Sequence, residues 1–282
     1  MSTRGDEFPS LDALVARALE EDLGTPPRDV TSEAVLDREA TGAGEIRARE
    51  PLVLAGLEAA ARTFRAVDPA VSFAARAEEG ARLGPGDAAA ALRGPLAGIL
   101  AGERTALNFL QRLSGIATLT ARFVEAVAGT EARILDTRKT TPGWRRLEKH
   151  AVRCGGGTNH RMGLYDAVLI KDNHLRAAGG PAKAIDRARR NAPGSAITVE
   201  AQTLPELEEA LSAGADRVLL DNMDLETLRE AVSICGGRAL LEASGGVTLE
   251  NVRAVAETGV DFISIGALTH SAPGADLSLD VT

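Results

Sequence analysis

Apolar residues recur at helical spacing over residues 10–23, where Leu11, Leu14, Val15, Ala18 and Leu19 share one face. Ser10 suits the N-cap and Gly24 the stop, so the spacing predicts a helix there. The pattern then shortens. Gly44–Arg49, Leu52–Leu57, Val71–Ala77 and Ala88–Leu100 read as strands, with Gly84-Pro85-Gly86-Asp87 as a turn between the last two. Strands following a single helix predict a small α+β unit. From Glu103 to Ala128 the helical period returns, with Leu107, Leu110, Ile116 and Leu119 on the apolar face. The Ser114-Gly115 pair is expected to split this helix in two.

Further along, strands and helices alternate. Strands are expected at Arg133–Asp136, Ala167–Ile170, Ile197–Val199, Arg217–Leu220, Ala239–Leu241 and Phe262–Ile265. Helices are expected at Leu204–Ala213, Leu225–Cys235 and Leu249–Thr258. Such alternation implies βαβ units and a parallel sheet. Six strands fall short of the eight of a full barrel, and an open doubly wound sheet is the competing architecture. No glycine-rich dinucleotide fingerprint follows the first strand, however. The polar residues decide for a barrel. The strands end in Asp136-Thr137-Arg138-Lys139, Lys171-Asp172-Asn173-His174, Glu200, Asp221-Asn222, Glu242 with Ser244-Gly245-Gly246, and Gly266. Parallel barrels assemble their active sites from strand C-terminal ends.

Composition narrows the class. The 282 residues are 44% hydrophobic and 26% charged with a mean hydropathy of −0.04, which excludes a disordered or fibrous chain. The longest stretch without Asp, Glu, Lys or Arg, Phe262–Ala275, has 14 residues, and a membrane span needs roughly 20. Met1–Pro9 is polar without an apolar signal core, and Cys154 and Cys235 are too few for a disulfide framework, so a cytoplasmic protein is expected. A net charge of −8 and only 3% aromatics speak against a nucleic-acid groove.

One segment runs against that charge. Residues 138–161 carry seven Lys or Arg against the single acid Glu148, a balance of +6. Pro142-Gly143 and Gly155-Gly156-Gly157 interrupt it, so it reads as loops suited to small anions rather than as a solvated helix face. Glu200 and Asp221, ending neighbouring strands, suit Mg²⁺, which takes one or two carboxylates plus substrate phosphates. Ser244-Gly245-Gly246 and Gly266 stand where barrels bind phosphate. Arg138, Lys139, Arg161 and Lys171 supply cations, and His160 and His174 sit where they can donate to anions. His150, His270 and Cys154 read as structural, and there is no cysteine–histidine zinc pattern. These residues describe an enzyme or binding protein for a sugar-phosphate-like anion.

Five stretches carry a more specific likeness: Glu103–Asn108 with Ser114–Thr118, Asp136–Gly143, Gly155–Arg161, Leu169–His174 and Leu219–Met223, joined by Glu242–Gly246 and Gly266–Ser271. In their order and spacing the sequence resembles the quinolinate phosphoribosyltransferase family, and Glu21–Gly24 with Asp29–Thr31 extends the likeness toward the N-terminus. The resemblance implies transfer of a phosphoribosyl group from phosphoribosyl pyrophosphate to quinolinate, giving nicotinate mononucleotide, pyrophosphate and CO₂ in de novo NAD synthesis. It implies that Thr137, Arg138, His160, Arg161 and Lys171 hold the two quinolinate carboxylates. It assigns Lys139, Glu200 and Asp221 to the ribose and Mg²⁺–pyrophosphate, the last two as metal ligands, and with Lys171 these are the expected catalytic residues. Asn173, His174, Ser244, Gly245, Gly246, Gly266 and His270 would surround the phosphates. Arg104 would reach into the partner's site in an obligate homodimer, alone or within a hexamer. No organic cofactor is expected.

The fold expected is thus α/β, an incomplete parallel β/α barrel over residues 111–270 preceded by a smaller α+β, open-faced sandwich-like domain over residues 1–110. Residues 271–282 are expected to pack back on that first domain. Arg28, Trp144 and His150 depart from the family's usual residues without touching an anion-binding position. A related phosphoribosyltransferase for another ring acceptor, in the molybdenum-transport-associated branch, and a non-catalytic ligand-binding barrel are the alternatives.

Overall fold

The computed structural model describes residues 10–282. The polar stretch Met1–Pro9, on which the expectation of no signal core rests, lies outside the described residues. The first half of the chain forms α1 (Leu11–Leu23), α2 (Val30–Val35), β1 (Thr41–Ala48), β2 (Leu52–Val53), α3 (Leu57–Val67), β3 (Ser72–Ala75), β4 (Arg82–Leu83), β5 (Ala88–Pro95) and α4 (Leu96–Ala126). Then follow β6 (Arg133–Leu135), α5 (Arg145–Cys154), β7 (Val168–Ile170), α6 (Asp172–Ala178), α7 (Pro181–Asn191), β8 (Ile197–Ala201), α8 (Leu204–Ser212) and β9 (Arg217–Asp221). The chain closes with α9 (Leu225–Cys235), β10 (Leu240–Ser244), α10 (Val252–Ala256), β11 (Phe262–Ser264), α11 (Ala267–His270) and β12 (Leu277–Val281).

Two compact units divide these elements. One takes in the chain up to Leu119 with Thr141–Gly156 and Ala272–Thr282, the other Thr120–Thr140 with Gly157–Ser271. The expected boundary at residues 110 and 111 falls within α4.

In the first unit an antiparallel sheet runs β12-β1-β5-β3, and β12 pairs with β1 from Gly44↔Val281 to Ala48↔Leu277. Ile46, Phe64, Leu92, Ile99, Leu107, Leu110 and Leu277 form its core. Ser10 caps α1 as its spacing predicts, accepting from Ala13 N at 3.2 Å. Four expectations need correcting here. The strand read at Leu52–Leu57 ends at Val53, and residues 57–67 are helix α3, missed because its N-terminal amides are held by a remote residue. Glu79 Oε1 accepts from Leu57 N at 2.7 Å and from Gly56 N at 3.1 Å. The strand read to Leu100 stops at Pro95, where α4 begins. Nor does Ser114-Gly115 break α4. Ser114 Oγ accepts from Ala55 N at 3.0 Å, and a Cβ on Gly115 would lie 1.9 Å from the Pro273 carbonyl oxygen, so both residues serve close chain approach. The basic segment also differs from its loop-only reading, since residues 145–154 are the helix α5. Its glycines bound the helix, and Glu148, buried on its inner face, accepts from Arg112 Nη2 at 2.9 Å and Thr141 N at 3.0 Å.

In the second unit six parallel strands run in the order β6-β11-β10-β9-β8-β7. The first strand of the series pairs with the last, the wrap-around order of a barrel rather than the reversal of a doubly wound sheet. β6 and β7 are the two edges, so the barrel is incomplete. Thr158 lies along the β6 edge, its N donating to Ile134 O at 2.8 Å. Among the described residues no helix is long and apolar enough to cross a membrane.

Candidate active site

Each barrel strand delivers its polar residues at its carboxyl end, and these surround one cavity of about 750 Å³. Thr137, Arg138 and Lys139 follow β6, Lys171 follows β7, Glu200 lies in β8 and Asp221 ends β9. Ser244 ends β10 with Gly245 and Gly246 beyond it, and Gly266 with His270 follow β11. His160 and Arg161, from the segment after Thr158, complete the lining.

Buried carboxylates fix this lining. Asp136 is fully buried, its Oδ1 accepting from His160 N at 2.8 Å and its Oδ2 from Asn159 Nδ2 at 2.5 Å. His160 Nδ1 accepts from Arg161 N at 2.7 Å, which leaves Nε2 to carry the proton toward Glu242 Oε1, 3.5 Å away. Glu242 is itself fully buried and accepts from Arg217 Nη1 at 3.1 Å and from Ser264 Oγ. Burial opposes its charge, but His160, Ser264 and Arg217 together hold its carboxyl below the ordinary value.

One of the cations keeps an unmet donor. Arg161 Nη1 donates to Ala167 O at 3.1 Å, yet its Nε is buried with no hydrogen-bond partner among the described residues. Burial, and then the neighbouring charge of Arg138, depress the Arg161 guanidinium below its ordinary value. An orphaned buried donor next to a second cation is the signature of a place for an anion. Lys171 Nζ is paired with Glu200 Oε2 at 3.0 Å.

The strand-end glycines are shaped by contact. Gly245 sits at φ 96°, and a Cβ there would lie 2.1 Å from Asn222 Oδ1. Asn222 has a positive φ of 58° and donates Nδ2 to Asp221 Oδ2 at 2.9 Å. A Cβ on Gly266 would stand 3.0 Å from Lys139 Cδ and 3.1 Å from His270 Nε2, so those two side chains converge over bare backbone. Glu200 and Asp221 present oxygen donors to the same cavity, the donor chemistry that Mg²⁺ takes.

Two expected residues are not brought to this cavity: Asn173 lies outside the lining, and His174 lines a separate shallow groove with Val168 and Ile170. Arg104, expected at a partner's site, is exposed on α4 in the first unit. The His174 Nδ1 accepts from Lys171 N at 3.0 Å and so shapes the start of α6. Asp136, Asn222 and Glu242 are legible from the sequence only as strand-end polar residues, and Ser264 is not singled out there; only the fold pairs Asp136 and Glu242 with His160, Asn222 with Asp221, and Ser264 with Glu242.

Residues 29–114 match the quinolinate phosphoribosyl transferase N-terminal domain and residues 116–280 match its C-terminal domain. The chain belongs to the quinolinate phosphoribosyl transferase family. It is 42% identical over 280 residues to the Mycobacterium leprae nicotinate-nucleotide pyrophosphorylase (carboxylating), covering 98% of each chain. Over 290 residues it is 40% identical to a Nicotiana tabacum quinolinate phosphoribosyltransferase (decarboxylating), covering 96% of this chain and 82% of the relative. The solved nicotinate-nucleotide pyrophosphorylase from Francisella tularensis superposes with a TM-score of 0.93 at 40% identity, covering 96% of both chains. The family's incomplete barrel and its antiparallel first domain are the fold described above.

Proposed function

We propose that this chain is a decarboxylating quinolinate phosphoribosyltransferase. It joins quinolinate to phosphoribosyl pyrophosphate and releases nicotinate mononucleotide, pyrophosphate and CO₂ in de novo NAD synthesis. The observation that carries this reading is the divided charge of one cavity. Arg138, Arg161 and Lys171 gather at the β6 and β7 edge, with Arg161 Nε lacking a partner, while Glu200 and Asp221 face the cavity from β8 and β9.

Arg138, Arg161, Lys171 and His160, with Thr137 beside them, hold the two adjacent carboxylates of quinolinate and aim the ring nitrogen at the ribose C1. Pyrophosphate leaves C1 as the nitrogen attacks. Lys139, His270 and the amides around Ser244, Gly245, Gly246 and Gly266 hold the phosphates. Fixed donors placed where charge develops are the largest single contribution to many catalysed rates. Glu200 and Asp221 would hold Mg²⁺, which would supply further charge neutralisation at the pyrophosphate. The electron pair of the breaking C–C bond then stays on the ring carbon beside the quaternised nitrogen, whose positive charge stabilises it, the carboxylate on that carbon departs as CO₂, and the carbon takes up a proton. The ring thus provides its own electron sink, and no organic cofactor is called for.

Arg104, exposed on α4, would complete the site of a second copy, making the working form a homodimer, alone or within a hexamer. The working compartment would be the cytoplasm. Calorimetric titration with quinolinate tests the anion site. Arg161→Ala should weaken binding more than tenfold, as loss of a charge-assisted pair costs about 2 kcal/mol or more, and equal binding by both proteins would refute the assignment.

A further inference from the structure

Glu79, His150 and Cys154 place one ligand atom each within 4.8 Å of one another in the first unit, and none of them lines the barrel cavity. His150 and Cys154 are four residues apart on α5, so they project from the same face. Glu79 comes from the turn between β3 and β4. The His150 Nε2 lies 3.4 Å from Glu79 Oε2 and 3.5 Å from Cys154 Sγ, and Cys154 Sγ lies 3.6 Å from Glu79 Oε2. A tetrahedral Zn²⁺ centre with its usual Zn–N, Zn–O and Zn–S bond lengths has ligand–ligand edges of about 3.3–3.6 Å. We propose that Glu79, His150 and Cys154 form a binding site for a thiophilic divalent cation of the Zn²⁺ class, with water in the fourth position.

The surroundings are those of an oriented site. Both Glu79 oxygens accept from Gly56 N, at 3.1 and 3.0 Å, and Oε1 also accepts from Leu57 N at 2.7 Å. Such partners behind a ligand carboxylate fix its direction. Gly80, at φ 83°, lets the turn lie against the end of α5, where a Cβ would stand 3.2 Å from the Cys154 carbonyl oxygen. One thiol, one imidazole and one carboxylate select Zn²⁺ or Co²⁺ over Mg²⁺, which prefers oxygen alone. On binding, the thiol proton and the Nε2 proton of the His150 imidazolium both pass to solvent, and the ring keeps its proton at Nδ1. Exposed Arg153, whose Nη2 lies 3.3 Å from Nδ1, then turns to solvent. The ion would tie α5 to the 76–81 turn and, through Glu79, to the start of α3. No linear motif exposes this set, because Glu79 stands far upstream of the α5 pair.

The test strips the full-length chain with a chelator and titrates it with Co²⁺ alone, then displaces Co²⁺ with Zn²⁺. One equivalent should bind with a thiolate-to-cobalt charge-transfer band, and Zn²⁺ should raise the Tm and slow alkylation of Cys154. Cys154→Ser should abolish the band, and His150→Gln should weaken binding at least tenfold. Cys235→Ser and Glu200→Gln should both retain the band. If Cys154→Ser does not fold, His150→Gln carries the test, since the His150 side chain is 40% exposed. Absence of the band in folded wild type, its survival in Cys154→Ser, or alkylation unaffected by Zn²⁺ would overturn the site and leave only an ion pair between thiol, imidazole and carboxylate.

Discussion

Lys171 Nζ lies 3.0 Å from Glu200 Oε2, so a cation assigned to the dicarboxylate and an acid assigned to the leaving group already form one ion pair. The Glu200 side chain is only 8% exposed and the Lys171 side chain 48%, so the lysine can swing toward a substrate more freely than the carboxylate can. The two halves of the site are therefore coupled. Lys171→Ala should raise KM for quinolinate about tenfold, since losing a charge-assisted hydrogen bond from a half-exposed cation costs about 1.5 kcal/mol. It should also alter the Mg²⁺ dependence, because Glu200 loses its counter-charge. Steady-state kinetics with each substrate varied separately checks this, and an effect confined to quinolinate would contradict the coupling.

Glu242 should govern stability in acid. Its folded carboxyl titrates below the ordinary 4.5 because His160, Ser264 and Arg217 outweigh its burial. A depressed folded value contributes stability that is present above the unfolded value and is lost as the pH falls through the folded one. Glu242→Gln lacks that contribution and leaves Arg217 and His160 facing a neutral group, so it should be less stable at pH 7, by about 3 kcal/mol. The gap in Tm between wild type and variant should then narrow as the pH is lowered below about 4.5. Melting curves that stay equally separated at every pH would contradict the assignment.

The barrel was legible in the sequence because its buried strands are short apolar runs whose polar ends coincide with the site. What stayed hidden depended on contacts between remote residues. Helix α3 has no capping side chain of its own and takes Glu79 as its cap, so local signals pointed to a strand. Ser114 and Gly115 carry the composition of a break, yet the one bonds Ala55 and the other admits Pro273 against α4. The same holds within the site. Arg138, Arg161, Glu200 and Asp221 announce themselves by charge at strand ends, whereas Glu242 gains its meaning only from His160 and Arg217.

Gly245→Ala tests the phosphate end. A Cβ there meets Asn222 Oδ1 at 2.1 Å and imposes a side chain at φ 96°. Asn222 must shift and with it the bond to Asp221 Oδ2. The KM for phosphoribosyl pyrophosphate should rise about tenfold, matching the 1–2 kcal/mol cost of this backbone region for a residue with a Cβ, while quinolinate binding stays close to wild type. Impaired binding of both substrates alike would point to general disruption instead.

Arg138→Ala and Asp221→Ala should separate the two substrates. The arginine variant should bind quinolinate more than tenfold more weakly, as expected for a lost charge-assisted contact. The aspartate variant should bind quinolinate normally and lose turnover with phosphoribosyl pyrophosphate. Calorimetry alongside turnover distinguishes them, and unchanged values for either variant would remove that residue from the site.

Turnover with Mg²⁺ and phosphoribosyl pyrophosphate, comparing quinolinate with nicotinate and following CO₂ and the mononucleotide together, is the most direct measurement. Nicotinate mononucleotide and an equal amount of CO₂ should form from quinolinate, and nothing from nicotinate. Folded protein that is silent with quinolinate, or that converts nicotinate without releasing CO₂, would contradict a decarboxylating quinolinate phosphoribosyltransferase.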